Sequence, residues 1–106
     1  MNAQVKKGVL KLCVLALLEA RDWYGYEISD YLTRLIGIAD GSVYPLLRKL
    51  KSDGLLTTYL QEESGGPPRK YYSLTSLGRE TLNREREDYL AFSRVVNKLL
   101  EGKNDE

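Results

Sequence analysis

The sequence predicts a mainly α-helical fold with a small β-hairpin, followed by a long C-terminal helix. Apolar residues recur at helical spacing in three successive segments, and the stretch SGGPP separates two short segments rich in β-forming residues. A long charged segment with helical apolar spacing then ends the chain. At 106 residues and 42% hydrophobic content the chain fits one compact domain, and domains of this size often gain stability by oligomerising.

The first two helices are predicted from apolar spacing and from one glycine. A first helix from about Val5 to Ala20 is apolar on more than one side, and one stripe is expected in the core. The two stripes consist of Leu10, Val14, Leu17 and Leu18, and of Val5, Gly8, Leu12 and Leu15. The second helix follows a turn and ends at Gly37. Its predicted buried face consists of Tyr26, Ile28, Tyr31, Leu32 and Leu35.

The third helix is predicted in the segment GSVYPLLRKLKSDG. Proline is tolerated in the first turn of a helix, so Pro45 places the N-cap at Gly41 or Ser42. The buried face is predicted to consist of Val43, Leu46, Leu47 and Leu50. No acidic residue lies between Gly41 and Ser52, and the exposed face therefore carries cations without counter-charges.

A two-stranded hairpin and a last helix complete the predicted fold. The segments LLTTYLQEE and RKYYSLT are rich in β-formers, and the glycines and prolines between them suit a turn. Tyr72 and Leu74 fall on one face, which we expect to be core. Thr75 is predicted to cap the last helix, which ends in a frayed acidic tail.

Three helices followed by a hairpin is the order of a winged helix-turn-helix, in which the third helix enters the DNA major groove. The hairpin tip, or wing, then reaches the backbone or the minor groove beside it. Arg69 and Lys70 lie where the wing turns back, where they would neutralise phosphates or enter the minor groove. The alternative is that they are ordinary solvated cations. The acid-free face of the third helix favours DNA binding.

The segments GSVYPLLRKLKSDGLL and GGPPRKYYSLTSLGRE resemble the PadR family of bacterial transcriptional regulators. The matching residues are Tyr44, Leu46, Leu47, Leu50, Asp53, Gly54, Arg69, Lys70, Tyr71, Tyr72, Leu74 and Thr75. The resemblance implies a winged-helix repressor, with a DNA-binding domain over residues 1–75 and a dimerisation helix over residues 76–106. Pro67 and Pro68 depart from the pattern, because many relatives carry further basic residues there. The single C-terminal helix is similar to that of the small subfamily.

The predicted DNA contacts come from the third helix and the wing. Arg48 is the expected base reader, because its planar fork fits the edge of guanine, whereas Tyr44 is expected to reach a phosphate. Ser42 could equally be only a cap, and the helix cations could be ordinary surface charges. The complete predicted set is Ser42, Tyr44, Arg48, Lys49, Lys51, Arg69 and Lys70.

The composition argues against catalysis. The chain has no histidine, which excludes histidine-based triads and histidine metal sites, and Cys13 lies in an apolar segment without a base. Glu62 and Glu63 are neighbours on a strand and point to opposite faces, so they cannot share a substrate. We expect no enzyme activity, no cofactor and no metal. The net charge of +1 means that DNA binding depends on local clusters of cations.

The same residues indicate a soluble cytoplasmic protein. A single cysteine cannot form an intramolecular disulfide, which favours a reducing compartment. Lys6 and Lys7 precede an apolar run as in a signal peptide, but Lys11 interrupts that run and Glu19 closes it. A buried helix is the better interpretation, and we expect no membrane contact.

The last helix is predicted to form a homodimer through Tyr89, Phe92, Val96 and Leu99, which recur at helical spacing. Tyr89 and Phe92 could also line a cleft with the Gly8, Leu12 and Leu15 stripe, and the cleft would suit a planar aromatic effector. The resemblance adds that such regulators often respond to phenolic or multidrug-type compounds. The alternative to an effector cleft is a dimer core filled by these side chains. The alternative to a DNA-binding regulator is a winged-helix module that contacts only proteins.

Overall fold

Four helices and a small antiparallel sheet make up the part of the chain that the computed structural model describes, residues 3–39, 41–62 and 65–102. Side-chain surroundings are described from Val9 onward within these ranges. The elements in chain order are α1 (Ala3–Ala20), β1 (Trp23–Tyr24), α2 (Gly25–Ile36), α3 (Val43–Ser52), β2 (Leu56–Gln61), β3 (Arg69–Leu74) and α4 (Ser76–Leu100). This order confirms the predicted winged helix-turn-helix with a long C-terminal helix. The predicted tail, residues 103–106, lies outside the described residues.

The sheet contains one strand that the sequence did not predict. The hairpin of β2 and β3 runs in register from Leu56 opposite Leu74 to Gln61 opposite Arg69. Strand β1 pairs with the other edge of β3 and gives the strand order β1-β3-β2. Two residues are too few to display the alternation by which strands are recognised in a sequence. Because β1 leads directly into α2, the wing is hydrogen-bonded to the start of that helix.

The hydrophobic core lies between the helices and the inner face of the sheet. The predicted buried face of α3 is confirmed for Val43, Leu47 and Leu50, and Leu46 is half-buried. Tyr72 is buried and Leu74 is half-buried, as predicted. The complete set of buried apolar residues is Leu10, Val14, Leu15, Leu18, Ile28, Leu32, Val43, Leu47, Leu50, Leu55, Leu56, Tyr72 and Leu82.

The predicted burial was wrong in two helices. In α1, Leu15 is fully buried in the core, although its stripe was predicted to be free of it. In α2, only Ile28 and Leu32 of the predicted face are buried, whereas Tyr26, Tyr31 and Leu35 are exposed. Leu15 is buried because other elements pack on more sides of α1 than the two stripes indicated. The three residues of α2 are exposed because this helix presents only a narrow face to the core. Gly37 ends α2 in a left-handed conformation with φ of 78°, as predicted.

Two ion pairs join α1 to α4. Lys11 Nζ lies 3.0 Å from Glu85 Oε2, and the Arg86 guanidinium donates two hydrogen bonds of 2.8 and 3.2 Å to the Glu19 carboxylate. The hydrogen bond from Arg86 lowers the pKa of Glu19, and the same contact raises the pKa of Arg86. Both pairs are partly exposed, so they contribute more to the crossing geometry of the two helices than to stability.

The start of α4 is fixed by a cap and by a glycine. Thr75 Oγ1 accepts a hydrogen bond of 2.9 Å from the Gly78 N–H, which confirms the predicted N-cap. Gly78 is buried, and a β-carbon there would overlap the Leu55 carbonyl oxygen and a methyl group of Leu74. Leu82, one turn later, is fully buried. The first turns of α4, just after the boundary predicted at residues 75/76, therefore pack with the core.

We predict that Gly78→Ala destabilises the protein by about 1–3 kcal/mol, because the added methyl group meets backbone atoms that cannot move aside alone. Urea unfolding followed by circular dichroism at fixed protein concentration measures this change. Gly66→Ala is the matched control, since the residue is exposed and nothing lies within 4 Å of the point where an added methyl group would sit. The control should stay within about 0.5 kcal/mol of the parent protein. Equal stability of the two variants would contradict the close packing of Gly78.

Candidate DNA interface

Helix α3 turns a polar, cationic face to solvent. Tyr44, Arg48, Lys49 and Lys51 are exposed, and the buried side of the same helix holds it against the core. Ser42 occupies the N-cap position, but its side chain makes no capping hydrogen bond. Ser42 is therefore the N-cap residue, one of the two predicted positions, but its hydroxyl does not bond to the backbone of the first turn.

A hollow of about 390 Å³ lies where α3, the start of α2 and the wing meet. Helix α3 contributes Tyr44 and Arg48, and the wing contributes Pro68, Arg69 and Lys70. The remaining lining residues are Tyr24, Gly25, Tyr26 and Tyr72. Three segments that are far apart in the sequence thus converge on one surface.

The hollow depends on the close approach of α2 to the sheet. Gly25, the first residue of α2, is buried, and a β-carbon there would lie 3.0 Å from Cε1 of Tyr72. The Tyr72 ring therefore packs directly against the start of α2. A β-carbon at position 25 would require the Tyr72 ring or the start of α2 to move by a few tenths of an ångström.

Two tyrosines of the hollow, Tyr44 and Tyr72, are hydrogen-bond donors at neutral pH. Burial raises the pKa of the Tyr44 hydroxyl, and the nearby Tyr24 and Tyr26 raise it further. Burial likewise raises the pKa of Tyr72, with a smaller opposing effect from Arg48. Both phenols therefore remain protonated and can donate to an anionic oxygen.

The electrostatics of the hollow favour an anion. Arg48, Arg69 and Lys70 line it, and none of the residues that line it is acidic. Guanidinium groups bind phosphate oxygens through two parallel hydrogen bonds, whereas lysine acts as a point charge. Cations around a concave, partly desolvated surface attract phosphate more strongly than the same cations spread over the protein.

The other predicted DNA contacts lie outside this hollow. Lys49 Nζ forms an ion pair of 3.3 Å with Asp53 Oδ2, one turn further along. Asp53 follows directly after the acid-free stretch from Gly41 to Ser52. The absence of acids within that stretch therefore did not predict a counter-charge for Lys49. Lys51 is exposed, and Ser42 borders a separate hollow with Leu10 and Leu46.

A second exposed surface runs along α4. Gly78, Thr81 and Leu82 bury one side of this helix against the domain, and the same side continues past the domain with apolar residues. Among the predicted interface residues, Tyr89, Phe92 and Leu99 are exposed, with Phe92 at 68%, and Val96 is half-buried. Val95 and Leu100, which were not predicted, are also exposed. The described chain offers this stripe no partner of its own.

The predicted effector surface is only partly available. Leu15 is fully buried in the core and cannot line a cleft, so its assignment was wrong. Leu12 is half-buried and packs against the core, while Tyr89 and Phe92 remain exposed. Gly8 belongs to α1, but its surroundings lie outside the described residues.

Comparison with known proteins identifies the chain. The model of the transcriptional regulator PadR-like family matches residues 14–84, which include the hollow, the wing and the start of α4. The chain belongs to the PadR-like family of transcriptional regulators. PadR-like proteins are transcriptional regulators and not enzymes, as predicted for this chain.

Several relatives support this assignment to the PadR-like family. The negative transcriptional regulator PadR of Bacillus subtilis is 30% identical over 79 residues, which are 71% of this chain and 43% of that protein. The transcriptional regulator YqjI of Escherichia coli is 33% identical over 84 residues, 76% of this chain and 39% of that protein. The chain thus spans about two fifths of the length of these two relatives.

A solved structure matches nearly the whole chain. The PadR-like transcriptional regulator of Bacillus cereus superposes with a TM-score of 0.83 at 37% identity, over 92% of this chain and 97% of that one. A Streptococcus transcriptional regulator superposes with a TM-score of 0.80 at 32% identity, over 92% and 98%. The small PadR-like architecture, with one helix after the wing, is therefore shared along nearly its full length.

Neither a metal site nor a membrane span is found in the described part of this PadR-like chain. Within residues 3–39, 41–62 and 65–102, no group of three or more candidate ligand residues could hold a metal ion. Among the same residues, no helix is long and apolar enough to cross a membrane. Cys13 is half-buried, and burial raises the pKa of its thiol, which keeps it protonated and unreactive.

The contribution of α2 to the hollow was not predicted from the sequence. Tyr24, Gly25 and Tyr26 line it together, but their spacing suggested only a turn and a buried aromatic. The one available signal was the glycine between two aromatic residues at a helix start. A glycine there fits a close backbone approach, whose partner, Tyr72, could not be read from the sequence.

Proposed function

We propose that this PadR-like protein is a cytoplasmic repressor that binds a pseudo-palindromic DNA operator as a homodimer. The observation that carries the proposal is the hollow lined by Tyr44, Arg48, Arg69 and Lys70, whose lining includes no acidic residue. One copy presents one recognition helix and one wing. A two-fold dimer would therefore read two half-sites about 10 bp, or a multiple of that distance, apart.

The proposed DNA contacts are of two kinds: contacts to phosphates, which position the protein, and a contact to a base edge, which recognises the sequence. Arg69, Lys70 and the Tyr44 hydroxyl would bind backbone phosphates, which fix the orientation of the protein on the duplex. Arg48 lies on α3 beside them and would reach a guanine edge in the major groove. Lys51 would add a phosphate contact, and Ser42 and Lys49 would lie at the edge of the interface. Repression is supported by the relative in Bacillus subtilis, which is a negative transcriptional regulator.

The homodimer is proposed on the apolar stripe of α4. Tyr89, Phe92, Val96 and Leu99 continue the face by which this helix packs on its own domain. Each such side chain contributes about 1.5–3 kcal/mol when it is fully buried. A stripe of this size left in water would be costly, and a second copy can cover it.

The effector response is proposed for the same helix. Tyr89 and Phe92 would form the wall of a site between the two copies, with Leu12 nearby on α1, and a planar aromatic compound fits such a wall. A ligand loosens DNA binding only if it prefers a dimer geometry in which the recognition helices are wrongly spaced. A filled interface is the alternative, and it leaves the dimer without an effector.

Replacing Arg69 and Lys70 by alanine should weaken binding to every DNA sequence and flatten the salt dependence, log K against log salt, by about 1–2 units. The measurement is fluorescence anisotropy with a promoter fragment adjacent to the gene and with an unrelated duplex, at several salt concentrations. Arg48→Ala should instead relax the choice of base at one position of each half-site.

Arg84→Ala is the matched control for this measurement, because Arg84 is an exposed cation of α4 outside the hollow. It should bind both duplexes like the parent protein. An unchanged salt slope in the Arg69 and Lys70 double variant would contradict the wing contacts. Failure of the parent protein to bind any duplex would favour the alternative, a winged-helix module that contacts only proteins.

The double substitution of Val96→Asp and Leu99→Asp should convert the dimer to monomers, since two carboxylates per copy cannot be buried in an apolar interface. Light scattering at low micromolar concentration measures the mass. Arg94→Asp with Lys98→Asp, on the opposite, polar side of α4, is the control that also adds two carboxylates and should remain dimeric. A dimeric Val96 and Leu99 variant would rule out this interface.

A planar aromatic compound is expected to displace the protein from DNA and to lose this effect when Phe92 is replaced by alanine. Titrating planar aromatic cations and phenolic acids into the protein–DNA complex tests this expectation by anisotropy. Leu90→Ala, also on α4 and 46% exposed but away from the stripe, is the control and should respond like the parent protein. If no compound acts, or if Phe92→Ala responds unchanged, the effector site fails and the dimer role of the helix stands.

A further inference from the structure

A row of tyrosines crosses the outer face of the sheet. Tyr24 on β1 and Tyr59 on β2 both pair with Tyr71 on β3, so the three rings lie on the same face. The ring centroids of Tyr59 and Tyr71 are 5.7 Å apart and stacked, and those of Tyr24 and Tyr71 are 6.0 Å apart. The Tyr59 hydroxyl donates a hydrogen bond of 2.7 Å to Asp22 Oδ2, which ties the outer strand back to the residues before α2.

The row ends at a wing cation. The Arg69 guanidinium carbon lies 5.0 Å from the centroid of the Tyr24 ring, within the range of a cation–π contact. Arg69 and Tyr71 are two residues apart on β3 and share a face. Arg69 and Tyr24 also both line the hollow. The contact therefore joins the wing to the residue that precedes α2.

The backbone at Tyr24 is fixed by the start of α2 as well as by the pairing of β1 with β3. Tyr24 is the N-cap residue of α2, with extended backbone angles, and its N–H donates a hydrogen bond of 3.2 Å to Glu27 Oε1. A fixed aromatic surface at this point restricts the rotamers of the long Arg69 side chain, which would otherwise lose that freedom on binding DNA. The guanidinium carbon lies over the Tyr24 ring, whereas phosphate oxygens bind the N–H groups of a guanidinium. The ring contact and a phosphate contact therefore involve different atoms of the Arg69 side chain.

We propose that Tyr24 is a positioning residue, which holds Arg69 in the conformation that contacts DNA, and that the tyrosine row fixes the wing relative to α2. This inference rests on the proposed DNA-binding function. It assigns to Tyr24 a role that acts through Arg69, and it predicts energetic coupling between the two side chains.

A double-mutant cycle on DNA affinity tests the coupling, with anisotropy measured on the promoter duplex at several salt concentrations. Tyr24→Leu should weaken binding about two- to fivefold without changing the salt slope, because the charge of Arg69 is retained. Arg69→Ala should flatten the slope by about 1 unit. In the Arg69→Ala background, Tyr24→Leu should have no further effect beyond about 1.5-fold. Tyr24→Phe keeps the ring and should bind like the parent protein.

The outcomes separate this inference from the proposed function. If the parent protein binds DNA with the expected salt dependence and the effects of Tyr24→Leu and Arg69→Ala simply add, Tyr24 has only a structural role and the inference is overturned. Unchanged binding by Arg69→Ala overturns it as well. If the parent protein binds no DNA, the proposed function is wrong, and the inference that rests on it is wrong as well.

If Tyr24→Leu does not fold, which a cooperative unfolding transition would check, a second variant still tests the positioning role. Arg69→Lys retains the charge but lacks the planar face, so it should lower affinity about two- to fivefold at an unchanged salt slope. The effect should be absent when the ring is also removed by Tyr24→Gln. An Arg69→Lys variant that binds as tightly as the parent protein would overturn the positioning role.

Discussion

The packing of Gly25 against the Tyr72 ring is the contact on which the proposed DNA-binding side of this protein depends. Tyr72 lies in the central strand, opposite Trp23 on one side and Thr58 on the other, and its ring supports the start of α2. The same ring borders the hollow that Tyr44 and Arg48 of α3 also line. One buried side chain therefore packs against the start of α2 and borders the hollow that α3 and the wing also line. A β-carbon at position 25 would crowd this ring and require a shift of a few tenths of an ångström.

The protein is nearly neutral as a whole, with a net charge of +1. Its attraction for an anion therefore depends on where the charged residues lie and not on an excess of cations. Several acidic residues are held in ion pairs. Glu19 and Glu85 pair with cations between α1 and α4, and Asp30 pairs with Arg34 on α2. The lining of the hollow includes cations and phenols but no acidic residue. A local field of one sign can arise in this way on a protein without a large net charge.

The last helix has two environments along its length. Its first turns are fixed by the Thr75 cap, the contact at Gly78 and the burial of Leu82, and these turns belong to the domain. Beyond the ion pairs of Glu85 and Arg86 the same apolar side leaves the domain and becomes exposed. One continuous helix carries both parts, so the exposed apolar stripe has a fixed direction relative to the domain.

The sequence by itself determined the helices, the hairpin, the Thr75 cap and the buried face of α3, because each follows from spacing, propensity or turn chemistry within a few residues. It also indicated Tyr44, Arg48, Arg69 and Lys70 as residues of one surface, through the known order of elements in a winged helix and the family resemblance. Only the tertiary structure decided which residues meet. It added β1, buried Leu15, exposed Tyr26 and placed Tyr24 against Arg69. These results depend on contacts between residues far apart in the chain, and a local pattern carries no information about a partner that lies about forty positions away.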